Sequence, residues 1–150
     1  LNYKLIDFNV VGDHRGKLIA LESLDLIPFS INRIYYIYDT KEDVSRGFHA
    51  HLNLQQVAVC VKGSCDFVLD DGITRETVRL DSPDTGLHIY GITWREMHNF
   101  SEDCLLLVIA SEKYDELDYI RDYDKFKGIV ENRTEKIKNW SLLAQANLQQ

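Results

Sequence analysis

Two histidines with one residue between them, His49-Ala50-His51, stand just ahead of an apolar run that begins at Gln56 and ends at Gly63. Residues two apart on an extended chain project to the same face. Both imidazoles therefore enter one space, beside whatever Gln56 faces on the adjoining strand. Such a pair supports two chemistries. Imidazole is a good ligand for zinc, iron or nickel. Histidine also changes charge near neutral pH, which suits it to proton transfer. The residue types alone leave both open.

The elements that must hold this pair are short and extended. Apolar alternation predicts strands over residues 3–8, 18–24, 33–38, 55–62, 64–69, 76–80, 86–90, 93–100 and 104–110. Turn-like groups separate them: Gly12-Asp13, Asp70-Asp71-Gly72, Ser82-Pro83-Asp84 and Ser101-Glu102-Asp103. Strands at this spacing predict a sandwich or barrel, and Asp71-Gly72 is a good hairpin signal. Over 33–38, Arg33, Tyr35 and Ile37 share one face, while Ile34, Tyr36 and Tyr38 share the other. The tail differs. Residues 114–130 read as irregular with a short helix. Residues 134–147 are helix-prone, with Thr134 as N-cap and Ile137, Leu142 and Leu143 as apolar positions. The expected organisation is one domain over residues 1–130, then a helix-prone extension over 131–150 that is not an independent domain.

A chain of 150 residues suits one domain and can bury roughly 68–70% of its unfolded surface. A net charge of −7 counts against duplex nucleic acid as a partner. It leaves room for an anionic small ligand held by a few arginines. Cys60, Cys65 and Cys104 form neither a disulfide framework nor a zinc signature; reduced, buried thiols of a cytoplasmic protein are the expectation. No apolar run approaches the ~18–20 residues that span a bilayer, and no basic-then-apolar leader is present. No membrane partner is expected. The start at Leu1 rather than Met reads as a trimmed chain or a piece of a longer one.

The segment Arg46-Gly47-Phe48-His49-Ala50-His51, with Gln56 and Gly63 following, resembles the first cupin motif, in which glutamate holds the position of Gln56. A neutral amide is a poor substitute for a carboxylate, which contributes charge to a divalent cation. The resemblance therefore implies acid/base work, with no metal and no cofactor. Other strings extend it. They are Asp13-His14-Arg15-Gly16-Lys17-Leu18, Ile34-Tyr35-Tyr36-Ile37-Tyr38-Asp39, Gly63-Ser64-Cys65, Leu69-Asp70-Asp71-Gly72, Trp94-Arg95-Glu96-Met97 and Tyr119-Ile120-Arg121-Asp122-Tyr123. With them the chain resembles the dTDP-sugar 3,4-ketoisomerases, from about residue 3 to residue 127.

That resemblance implies an all-β fold, a cupin or jelly-roll β-barrel with a short helical C-terminal tail. It implies an isomerase that moves the carbonyl of dTDP-4-keto-6-deoxyglucose from carbon 4 to carbon 3 through an enediol. The product would serve biosynthesis of a 3-amino-3,6-dideoxy sugar for surface polysaccharide. His49 and His51 would jointly act as base and proton shuttle. Tyr35 and Arg33 would be donors to the developing enediolate. Arg15 and Arg46 would hold the diphosphate or sugar, with His14 near the sugar and Gln56 lining the site. His88 and His98 fall in the stretch where a second cupin motif belongs, without matching it. Tyr36 and Tyr38 are expected as core or interface aromatics and Trp94 as core. A homodimer is implied, with exchanged strands covering exposed edges. Relatives also occur fused to acyltransferase domains.

Three alternatives stand beside this reading. One is a 3,5-epimerase of the same superfamily, which uses one histidine with an aspartate partner and a tyrosine acid. The local His-x-His pair favours the ketoisomerase. The second is a metal cupin, and the third a non-catalytic sugar-binding cupin.

Overall fold

The structure is a computed structural model that describes residues 1–147, with side chains through Ser141. Its strands are β1 (Tyr3–Asp7), β2 (Val10–Asp13), β3 (Gly16–Ile19), β4 (Arg33–Ile37), β5 (Arg46–His51) and β6 (Gln56–Lys62). They continue with β7 (Cys65–Asp70), β8 (Arg75–Leu80), β9 (Thr85–Ile89), β10 (Trp94–His98) and β11 (Leu105–Ala110). A 3₁₀ turn (Glu116–Asp118), a two-residue strand β12 (Tyr119–Ile120) and helix α1 (Tyr123–Asn147) complete the chain. One sheet runs β1-β9-β6-β11-β4, the other β12-β5-β10-β7-β8, and β2-β3 is a separate hairpin. The named strand pairings are all antiparallel.

The core lies between the two sheets, where Ala58, Cys60, Phe67, Leu69, Leu87, Leu106 and Val108 meet. Both sheets are also covered behind. Val57, Val59 and Ile109 face outward from the first sheet onto Phe8, Ile27 and Phe29. Ala50 and Trp94 face outward from the second onto Ile120 and Phe126. A strand buried on both faces reads as a continuous apolar run, which is why residues 57–60 show no alternation. β4 alternates as expected: Arg33, Tyr35 and Ile37 are partly buried, while Ile34 and Tyr36 point to solvent. Tyr36 and Tyr38 are therefore not core residues in this chain; each is about 60% exposed.

Three expectations need correction. The strand expected over 18–24 stops at Ile19 and pairs with β2, which alternation did not reveal. Beyond it, the Ser23 hydroxyl donates to the Phe29 carbonyl and accepts from the Ile31 N–H. This side-chain turn competes with a ladder and folds residues 23–31 into a loop. The tail is less irregular than expected, because α1 begins at Tyr123. Asp122 accepts from the Lys125 N–H at 2.7 Å and so caps it, and Phe126 is fully buried beneath Trp94. Thr134 is accordingly no N-cap: it lies inside the helix, and its hydroxyl donates to the Val130 carbonyl. Ile137 is exposed, and Leu142 and Leu143 lie outside the described side chains. No helix among the described residues is long and apolar enough to cross a membrane.

Candidate active site

β5 carries the histidines because its two edges are held differently. On one side it pairs with β10, His49 opposite Arg95, with a bulge between Arg95 and Glu96. On the other it pairs with β12, His51 opposite Tyr119. The bulge needs Gly47: its φ is +91°, and a Cβ there would sit 2.9 Å from the Arg95 carbonyl oxygen. Bulges re-aim side chains next to active sites. Here the strand returns to register with Ala50 outward under α1 and both imidazoles inward. The two rings lie 4.9 Å apart, edge to face. Tyr119 packs against both, at 5.1 Å from His49 and 4.3 Å from His51.

The 3₁₀ turn delivers a partner that the His-x-His pattern could not reveal. Asp118 Oδ2 lies 3.0 Å from His51 Nδ1, while Oδ1 accepts from the Asn53 backbone N–H at 2.8 Å. A carboxylate can only accept, so Nδ1 of His51 carries the proton. That fixes the tautomer and leaves Nε2 with a free lone pair. Nε2 is buried and has no hydrogen-bond partner among the described residues.

The opposite wall comes from β4 and β6. Gln56 donates through Nε2 to the Tyr35 hydroxyl at 2.9 Å, and its Oε1 accepts from Arg95 Nη1. Arg95 is almost fully buried and also donates to the Thr93 carbonyl at 3.1 Å. The amide thus meets a cation on one side and a hydroxyl oxygen on the other. A carboxylate could serve the first contact but has no proton to donate to the second. Tyr35 already accepts, so its own proton is available for an oxygen in the cavity. Arg33 stacks over Tyr35 and Tyr114, at 5.4 and 5.7 Å from the ring centres. Its Nε is buried and, like His51 Nε2, unpaired among the described residues.

The electrostatics make these groups neutral bases beside fixed cations. Burial, then the charge of Arg95, pushes His49 down to about 4. The same causes, in the same order, push His51 down to about 2. Burial lowers Arg95 to about 10, which leaves it charged at neutral pH. Burial raises the Tyr35 phenol, which stays protonated. The depressed histidines carry a stability consequence. Below the ordinary value of 6.5 the unfolded chain binds protons that the folded chain refuses, so stability falls as pH drops through that window. Thermal denaturation between pH 7 and pH 4 should show this loss, and a His49→Asn/His51→Asn variant should flatten it.

The structure brings together His49, His51, Tyr35, Arg33 and Gln56. Arg46 opens β5 and is exposed. His14 and Arg15 form the tip of the β2-β3 hairpin, outside the barrel, where Arg15 pairs with Asp13. His88 lies outside the site, bonded to Gln55. His98 sits between Ser45 and Glu96 on the outer face that Trp94 shares. Four site residues were given no role from the sequence: Arg95, Asp118, Tyr119 and Arg121, whose guanidinium lies 4.2 Å over Tyr119. Arg95, Tyr119 and Arg121 fall within strings that carried the resemblance. Asp118 lies 67 residues from His51, and no local pattern joins them. Asp118 also changes the epimerase comparison. An aspartate partner for one histidine is present here too, so the partner does not separate the two readings.

Two facing antiparallel sheets with a His-x-His pair on an inward strand face define a cupin. Within that class the chain belongs to the FdtA family, described as WxcM-like, C-terminal, whose model matches residues 1–131. It is 54% identical over 127 residues to a TDP-4-oxo-6-deoxy-alpha-D-glucose-3,4-oxoisomerase of Aneurinibacillus thermoaerophilus, covering 85% of this chain and 91% of the relative. Two solved structures are similar at a TM-score of 0.86. One is a 3,4-ketoisomerase from Helicobacter canadensis, 52% identical, covering 87% of this chain and 98% of that one. The other is a histidine-to-asparagine variant of the 3,4-ketoisomerase QdtA of Thermoanaerobacterium thermosaccharolyticum, in complex with TDP-4-keto-6-deoxyglucose. It is 42% identical, covering 88% of this chain and 96% of that one.

Proposed function

We propose that this chain, a sugar-nucleotide 3,4-ketoisomerase, acts on dTDP-4-keto-6-deoxyglucose by histidine acid/base catalysis through an enediol. One observation carries the reading: a buried acceptor, His51 Nε2, and a buried donor, Arg33 Nε, both lack partners among the described residues, and Arg33 lies near enough for its charge to act on His51. A ketone beside a carbon that bears hydrogen supplies what both lack. The histidine pair removes the proton at carbon 3. Tyr35 donates a proton to the carbonyl oxygen at carbon 4, and Arg33 stabilises the charge that develops there. The enediol then takes a proton at carbon 4. Its carbon 3 hydroxyl loses one, and the ketone stands at carbon 3. Protons balance and no net oxidation occurs, so this route needs no redox cofactor. The work is shared between two coupled imidazoles.

The outlying residues fit the same reading as phosphate or sugar ligands. Arg46 stands at the start of the histidine strand. His14 and Arg15 sit on a hairpin whose Val11 and Leu18 are exposed. An apolar, projecting hairpin suits packing on a second copy, and in a homodimer it would carry Arg15 and His14 to that copy. A 3-keto product is the form that an aminotransferase needs to place nitrogen at carbon 3, which supports the amino-sugar reading. The three thiols favour the cytoplasm as the compartment.

Incubating the purified chain with the keto sugar and following the carbonyl by NMR tests the assignment. A carbonyl at carbon 3 supports it; exchange at carbon 5 with the carbonyl still at carbon 4 would replace it with epimerase chemistry. Asp118 supplies a second check. Asp118→Asn keeps the shape but can present an N–H to His51, favouring the wrong tautomer. Turnover should fall about 10–100-fold, the range seen when a partner that orients a metal-ligating imidazole is removed, with little change in nucleotide affinity measured by calorimetry.

A further inference from the structure

At the end of the barrel away from the histidines, three cysteines converge. Gln56 lies at the site end of β6 and Cys60 four residues on, which is about 13 Å of strand. Cys60 Sγ is 3.6 Å from Cys65 Sγ and 3.9 Å from Cys104 Sγ, and all three sulfurs lie within 4.8 Å of one another. They arrive from β6, from the start of β7 in the opposite sheet, and from the residue that precedes β11. Gly63 makes this convergence possible. Its φ is +67°, and a Cβ there would fall 2.8 Å from the Cys104 Cα and 2.2 Å from Ser101 Oγ. The turn between β6 and β7 can therefore press directly on the chain at Cys104.

We propose that Cys60, Cys65 and Cys104 form a second site, a three-sulfur pocket for one soft monovalent cation of the cuprous type. A metal–sulfur bond of ~2.3 Å places the sulfurs of a trigonal site about 4.0 Å apart, and those of a tetrahedral site about 3.8 Å. The two shorter edges are already near these lengths. Soft thiolate sulfur selects cuprous ion among the first-row cations, along with zinc and iron–sulfur clusters. The number of ligands favours the monovalent ion. Zinc wants four ligands, and among the described residues no fourth histidine, cysteine or carboxylate joins the three sulfurs. The three sulfurs belong to a buried apolar cluster that also holds Phe67, Leu80, Phe100 and Leu106. Cys60 sits between the other two sulfurs. Each cysteine that ligates does so as thiolate and gives up its proton to solvent as the ion binds.

Anaerobic titration of the full chain with cuprous ion, against a colorimetric cuprous chelator, tests this directly. The expected result is one copper per chain, an ultraviolet sulfur-to-copper charge-transfer band, and at least a tenfold loss of affinity in Cys104→Ala. Should that variant fail to fold, X-ray absorption of the copper-loaded wild-type chain decides the matter by counting sulfur neighbours. Copper ligated by nitrogen, copper lost in His49→Asn/His51→Asn but kept in Cys104→Ala, or preferential uptake of zinc would each overturn the proposal.

Discussion

His51→Asn is expected to lower turnover about 10²–10⁴-fold, the range supplied by a positioned acid or base, while nucleotide binding persists. The reasoning is geometric. His51 Nε2 is buried and unpaired among the described residues, and Asp118 holds the ring by its other nitrogen so that this lone pair stays free. Asparagine at 51 can keep a contact to Asp118, but it has no basic nitrogen. Removing an imidazole from beside Arg95 also relieves no buried charge, because both rings are held neutral by burial and by that cation. The fold should therefore tolerate the change. His49→Asn should act in the same direction. If the rings work as a unit, the double variant should be little worse than the more damaging single one. Steady-state kinetics and nucleotide titration on the three variants check each part, and unchanged turnover in His51→Asn would remove that residue from the mechanism.

Arg33→Met is expected to cost about 10²–10³-fold in kcat, the magnitude of losing one donor to a developing oxyanion. Arg33 lies over Tyr35 and Tyr114, so methionine keeps much of the stacking surface. What it loses is the unpaired Nε–H and the charge. A donor that acts on the enediolate lowers kcat more than it raises KM; a donor that only grips the substrate does the reverse. A ten-fold rise in KM with kcat intact would reassign Arg33 from the reacting oxygen to the nucleotide.

Much of this architecture is legible in the residues because the barrel is built from period-two strands. β4 shows it plainly: the face shared by Arg33, Tyr35 and Ile37 is the inward face. The spacing of His49 and His51 placed both rings in one cavity without any long-range information. The features that escaped were those set by tertiary contact. An arginine buried to the degree of Arg95 is rare, and it reads in sequence as a surface charge on an alternating strand. Its burial depends on Gln56, 39 residues away in the chain, beside the local Thr93 carbonyl. Asp118 reaches His51 only because the 3₁₀ turn and β12 fold back along β5. α1 starts at Tyr123 because Asp122 caps it and Phe126 has a pocket under Trp94. Thr134 offered an equally good local signal with no packing behind it.

The central claim is that the histidine pair moves a proton between carbons 3 and 4 of the keto sugar. The most direct measurement is turnover in deuterium oxide, with the product examined by NMR for the wild-type chain and for His51→Asn. The wild type should give a carbonyl at carbon 3, solvent deuterium at carbon 4 and an undisturbed proton at carbon 5, and the variant should give almost none of this product. Deuterium at carbon 5, or full labelling of carbon 4 by His51→Asn at the wild-type rate, would contradict the account.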